Sequence, residues 1–283
     1  MPGTITHRVG RPAAWELLRA RVQAQAAGLT GPPRPGPGQC VTCRGPSRLG
    51  HARCFQCGLH AESAPGLLAD AVVPVGYAMK GSGLAQALWR YKSPRGGAEP
   101  AQRALRALLL VFLRDHGPCV WRSAGMPPPT HVSVVPSGRG RPGPHPLAAL
   151  IAPYLARPPA TLVTAGPADL GCRELGPGRF RATRPLPGAA VLLLDDTWTT
   201  GATAQSAAIA LRAAGARHVA VVVLGRHLSL PRPGVGGQPF RLEHCAVHPG
   251  PAGLTDTRGS APGTRRAPPG RPATGSRRAG HGS

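Results

Sequence analysis

The chain has 283 residues, 39 of them Gly and 35 Pro, with 41% hydrophobic residues and few aromatics (four Trp, three Tyr, four Phe); this is material for one medium core domain with low-complexity appendages and excludes several large ones. Basic residues outnumber acidic ones 34 to 11, for a net charge of +23, and all but Lys80 and Lys92 are Arg, a balance that suits polyanions and that a GC-rich coding bias would equally produce. Longer apolar runs, such as 108–113 and 219–224, fall well short of the ~20 residues a bilayer span needs, and residues 1–28 lack the apolar core of a secretory signal, so the expected setting is cytoplasmic, without membrane insertion.

Residues 13–27 space Trp15, Leu18 and Val22 at helical intervals and stop at Gly28, which predicts a short helix. With the Pro/Gly linker that follows, this makes an N-terminal segment over 1–39. A four-cysteine module occupies 40–60. Cys40 and Cys43 form one CxxC pair, Cys54 and Cys57 a second, ten residues apart, each followed closely by a glycine (Gly45, Gly58). Turns with freed amides let two such pairs converge on one tetrahedral ion, so these four residues are the expected ligands of a structural Zn²⁺. A redox CxxC needs a helix start in a βαβ setting, and disulfides do not suit a reducing compartment. His51 and His60 are read as surface residues, and Cys119, Cys172 and Cys245 as small hydrophobes.

Segment 61–130 reads as helical, with helices near 84–91 and 101–115. From 131 to 248 the pattern becomes strand and helix in alternation: strands at 131–136, 160–164, 189–196 and 218–225, helices at 146–156 and 202–215. Continuous apolar strands between helices predict an α/β fold with a parallel sheet covered on both faces. Residues 249–283 hold 6 Pro, 8 Gly and six Arg against one Asp, and are expected to form a disordered basic tail.

The most informative stretch is 190–216. The apolar strand Val191–Leu194 ends in Asp195–Asp196, followed by Thr197, Trp198, Thr199, Thr200, Gly201, Ala202 and Thr203 and then a helix. Ligands bind at the carboxyl ends of strands in open α/β sheets. Gly201 permits close backbone approach, and the amides and hydroxyls of Thr199–Thr203 at a helix start suit a phosphate. Two carboxylates beside a phosphate serve sugar hydroxyls or a divalent metal. A phosphorylated sugar satisfies both halves. Trp198 is read as packing rather than as a base-stacking platform.

Residues 191–203, VLLLDDTWTTGAT, resemble the phosphoribosyl-diphosphate (PRPP) motif of type I phosphoribosyltransferases, glycosyltransferases of the pentosyl class. The resemblance implies that Asp195 and Asp196 hold the ribose hydroxyls, directly or through Mg²⁺, and act as the catalytic pair. It also implies that Thr199, Thr200, Gly201, Ala202 and Thr203 hold the 5′-phosphate, and that pyrophosphate leaves from ribose C1. The family's pyrophosphate loop follows its first core strand, which points to Ser137, Gly138 and Arg139, where Arg139 and Arg141 suit diphosphate oxygens. Purine-type members carry a carboxylate where this chain has Thr199, so a purine acceptor is disfavoured.

The order of four-cysteine module, an ALWRYK segment at 87–92 and a phosphoribosyltransferase-like domain is similar to the ComF family, associated with competence and DNA uptake in bacteria. The resemblance spans 40–227 and departs from the family after the first core strand, where residues 141–146 read RPGPHP. Two functions follow as expectations. One is a PRPP-binding, transferase-like protein using Mg²⁺. The other is a zinc-containing accessory protein of DNA uptake that binds single-stranded DNA without transferase activity. Neither acceptor nor oligomeric state is readable from the residues.

Overall fold

The computed structural model describes residues 12–33, 35–93, 97–137, 145–167, 170–171, 173–229 and 237–247. Gly138 and Arg139 of the expected pyrophosphate loop, Cys172 and the tail 249–283 lie outside them. Helix α1 (Pro12–Ala26) carries Pro in its first turn, where a missing N–H costs no bond, and turns Trp15, Val22 and Ala26 inward. The short strand β1 (Thr30–Gly31) leads to the cysteine module, whose second CxxC opens α2 (Phe55–Ser63) with Cys54 as N-cap. Strand β2 (Ala71–Met79) is followed by α3 (Gly83–Arg90), capped by Ser82 Oγ accepting from the Ala85 amide at 3.3 Å, and by the long α4 (Ala98–Ser123). Then come β3 (His131–Val134), α5 (Pro146–Ile151) with a 3-10 turn after it, and the pair β4 (Val163–Ala165) and β5 (Phe180–Ala182). The fold continues with β6 (Ala190–Trp198), α6 (Ala202–Ala213), β7 (His218–Leu228) and β8 (Gln238–Pro239).

Six strands form one sheet in the order β3-β6-β7-β2-β1-β8. The first four are mutually parallel, and β1 runs antiparallel to both β2 and β8. The protein is therefore α/β with a mostly parallel sheet. Successive side chains on β6 point to opposite faces. Leu192 and Leu194 join the core built with α1, α3, α4 and α5, whereas Val191 and Leu193 join the core built with α6, the β4–β5 pair and Cys40, Cys43 and Cys57. Both faces are covered, as the unbroken apolar runs of β6 and β7 require.

Three expectations are corrected. The segment 61–130, read as helical, contributes β2, which sits inside the sheet beside β7. Pro74 in AVVPVGYAM disguises it. The proline is tolerated because β1 touches β2 only at Thr30↔Tyr77, which leaves the far edge of β2 unpaired at Pro74 among the described strands. The strand expected at 160–164 does not enter the parallel sheet but forms β4, an antiparallel partner of β5. Finally, the helix expected at 101–115 runs from 98 to 123 through Gly117 and Pro118, because Val120 and Trp121 beyond them are buried. Among the described residues, no helix is long and apolar enough to cross a membrane.

Candidate functional site

The cysteine module does not stand apart from the sheet. The Sγ atoms of Cys40, Cys43, Cys54 and Cys57 lie within 4.8 Å of one another, with Cys43 Sγ 3.8 Å from Cys54 Sγ. A tetrahedron with Zn–S near ~2.3 Å has edges of roughly 3.7 Å, so the spacing and the all-sulfur donor set fit a structural zinc ion. The Cys43 amide points at Cys40 Sγ at 3.5 Å, the freed-amide turn expected of such knuckles. Cys40 is pushed far down by the surrounding thiols, Cys43 first, then Cys54 and Cys57, which donate to its sulfur. His51 is exposed as expected, but His60 is not a surface residue. It is buried, neither ring nitrogen finds a partner among the described residues, and burial pushes its imidazole down.

Arg226 of β7 joins this module to the glycine loop. Its Nη1 donates to the carbonyls of Trp198 (3.1 Å), Thr199 (2.7 Å) and His227 (2.7 Å). On the other side its guanidinium lies so close to the knuckle that a Cβ on Gly45 would sit 2.9 Å from Nη2. Tyr77 of β2 adds a second tie by donating its hydroxyl to the Arg44 carbonyl. Nothing in the spacing of residues pointed to Arg226, one Arg among many.

At the carboxyl end of β6 the two acids diverge, as strand alternation requires. Asp196 faces α3. It is buried, accepts from the Tyr91 hydroxyl, pairs with Lys92 and lies 3.9 Å from His145 Nε2. Asp195 is on the α6 side, and its Oδ1 accepts from the Asp196 amide at 2.8 Å. Tyr91, Lys92 and His145 were missed as site residues. Lys92 carried a signal: in a chain that otherwise uses Arg, only Lys80 and Lys92 are lysines.

Burial pushes the Asp195 carboxyl up to about 7, the Asp196 charge adds to the rise, and the Asp196 and Thr197 amides with Lys92 oppose it. Between the ordinary value of 3.8 and about 7, the native state holds a proton that the unfolded chain has released. Stability therefore falls as pH rises through that window. Asp195→Asn is expected to flatten the fall and to leave the variant more stable than the parent at pH 8 by about 1–3 kcal/mol. Thermal melts at pH 5 and pH 8 read this directly, and an unchanged pH slope in the variant overturns it.

The loop itself is Thr199–Thr203. Gly201, at φ +87°, is the N-cap of α6. The Ala202 amide reaches Thr200 Oγ1 at 3.4 Å, and the Gln205 amide donates to the Gly201 carbonyl at 2.9 Å. The amides of Gly201, Thr203 and Ala204 have no acceptor among the described residues, which leaves donors at the positive end of a helix dipole. Trp198 is 1% exposed and folds beneath the loop as packing. Strand β3 pairs in parallel with β6 through Val134↔Leu194. Ser137, three residues beyond it, thus leaves the sheet at the edge that carries the acids.

No family model matches the chain, and no curated protein matches it either.

Proposed function

We propose that this chain binds a 5-phosphorylated ribose, PRPP or a close relative, as a ComF-like phosphoribosyltransferase would. The observation that carries the reading is the coincidence, at the end of β6, of Asp195–Asp196 with a loop whose amides at Gly201, Thr203 and Ala204 lack acceptors among the described residues. A phosphate on those amides, with the hydroxyls of Thr199, Thr200 and Thr203 around it, needs no lysine. Ribose hydroxyls extend from that phosphate toward the acids.

The two acids take different tasks in this reading. Asp195 meets the ribose hydroxyls. Asp196, turned toward α3, holds Lys92 and Tyr91 in place, and its reach to the sugar depends on Lys92 letting go. Lys92 is about a third exposed, a cation at the edge where the diphosphate of PRPP would lie beside the turn of Ser137, Gly138 and Arg139. Mg²⁺ suits Asp195 together with ligand phosphates, since it is typically held by one or two carboxylates plus phosphate oxygens, and it would neutralise charge on the leaving diphosphate. Transferase activity then rests on positioning and electrostatics rather than on a nucleophile from this chain.

Calorimetry with PRPP and Mg²⁺ tests the reading. Saturable binding is expected, weakened at least about tenfold in Asp195→Asn, which corresponds to a loss of roughly 1.4 kcal/mol or more. Absence of heat in the unmutated chain, or equal affinity in the variant, overturns it. Pyrophosphate release during a screen of nucleobases and amines separates a transferase from a binder.

The net charge of +23 favours a second reading, a zinc-containing accessory protein that binds single-stranded DNA in DNA uptake. Its signature is a steep fall of affinity with salt.

A further inference from the structure

We propose that His116, Cys119 and Cys245 form a second metal site, for a thiophilic divalent ion such as Zn²⁺, that staples the chain after β8 to α4. His116 and Cys119 stand at i and i+3 on α4, so their side chains share one face of the helix. Cys245 arrives from far along the chain, on a stretch whose Phe240, Leu242 and Ala246 are all buried in the same core as α4. One ring nitrogen of His116 and the two sulfurs lie within 4.8 Å of one another. A tetrahedral ion asks for roughly 3.7 Å between sulfurs and somewhat less to nitrogen, a contraction that side-chain rotation supplies.

The imidazole is also held as a ligand is held. His116 Nε2 lies 2.6 Å from the Leu242 carbonyl oxygen. A carbonyl accepts only, so Nε2 carries the proton and Nδ1 keeps its lone pair. Anchoring one ring nitrogen on a backbone carbonyl to fix the tautomer and ring plane is the usual outer-shell arrangement of metal-binding histidines. The Phe112 ring, 5.2 Å away between centroids, restrains the ring further. His116 and Cys245 are buried, and among the described residues neither cysteine is joined in a disulfide. Reading Cys119 and Cys245 as small hydrophobes accounts for each alone, but not for their meeting at a buried imidazole.

Cys₂His with a fourth position left to solvent is a weaker and more open site than the four-cysteine cluster, and it should release metal to a chelator first. The inference does not depend on the proposed ligand of the β6 loop.

Zinc in the full chain, purified under thiol reductant without chelator, is the measurement. About two ions per chain are expected, falling to about one in both His116→Ala and Cys245→Ser. One ion per chain in the zinc-loaded parent, or two retained in both variants, overturns the site. Should the variants fold poorly, cobalt titration of the unmutated chain decides. Saturation at two equivalents, the weaker one with about half the thiolate charge-transfer absorption because it has two thiolates against four, supports the proposal. Saturation at one equivalent overturns it, as does a Cys119–Cys245 disulfide found by mass spectrometry in the zinc-loaded protein.

Discussion

Cys43→Ser is expected to cost most of the stability of the fold. A structural zinc contributes on the order of 10–16 kcal/mol of apparent binding energy in small zinc domains, against total stabilities of about 5–15 kcal/mol. Cys43 is buried, and the cluster sits within the core under β6 and α6 rather than on a detachable appendage. The damage should also reach the glycine loop. With the knuckle at Gly45 displaced, Arg226 loses the surface it lies on, and the Trp198 and Thr199 carbonyls that it holds are released. Hydrogen exchange of the loop amides, compared between Cys43→Ser and the parent, reads that spread, and thermal melts read the global loss. A melting temperature within about 2 °C of the parent would remove the four-cysteine cluster from the structural core. The serine variant is the better instrument than a chelator, because a chelator would also strip the site proposed at His116.

What could be read in advance follows from how local each feature is. The β6–α6 unit was legible because strand, acid pair, glycine and helix lie within one continuous stretch, and the cysteine cluster because its spacing is itself the geometric requirement. Strand β2 was hidden by Pro74 and Gly76, which mark a break in the sequence although both hold register with β7, opposite Val223 and Gly225. The environment of Asp196 was hidden differently. Tyr91 and Lys92 lie 105 and 104 residues away, and only the packing of α3 on β2 and β7 brings them together with the end of β6. The same holds for His116, Cys119 and Cys245, whose convergence is a product of tertiary structure with no spacing to announce it. Resemblance to a family supplied roles for Asp195 and Asp196 as a pair, whereas the strand's alternation assigns them to opposite sides.

Gly201→Ala is expected to destabilise the fold by about 3 kcal/mol, from two separable causes, and to abolish the phosphate binding proposed for the loop. The first is conformational: at φ +87° an L-residue pays roughly 1–2 kcal/mol. The second is steric. A Cβ at 201 would stand 2.6 Å from Trp198 Cη2 and closer still to Cζ2 and Cε2. Overpacking of that kind adds about 1–3 kcal/mol, and the ring, 1% exposed, has little room to retreat. Truncating the ring separates the causes. Trp198→Ala alone should cost about 3–5 kcal/mol as a cavity. In that background Gly201→Ala should cost only the conformational share, so the two changes are strongly non-additive. Urea denaturation of the four proteins of the cycle gives the coupling directly. A fully additive cycle would mean that the tryptophan does not support the loop, and a Gly201→Ala cost below about 0.5 kcal/mol would mean that the left-handed turn is not what shapes the amide cradle. Because the turn places the Gly201, Thr203 and Ala204 amides together, any variant that straightens it removes the donors even where Asp195 and Asp196 keep their positions. Phosphate affinity should therefore follow φ at residue 201 more closely than it follows the charge of the acid pair.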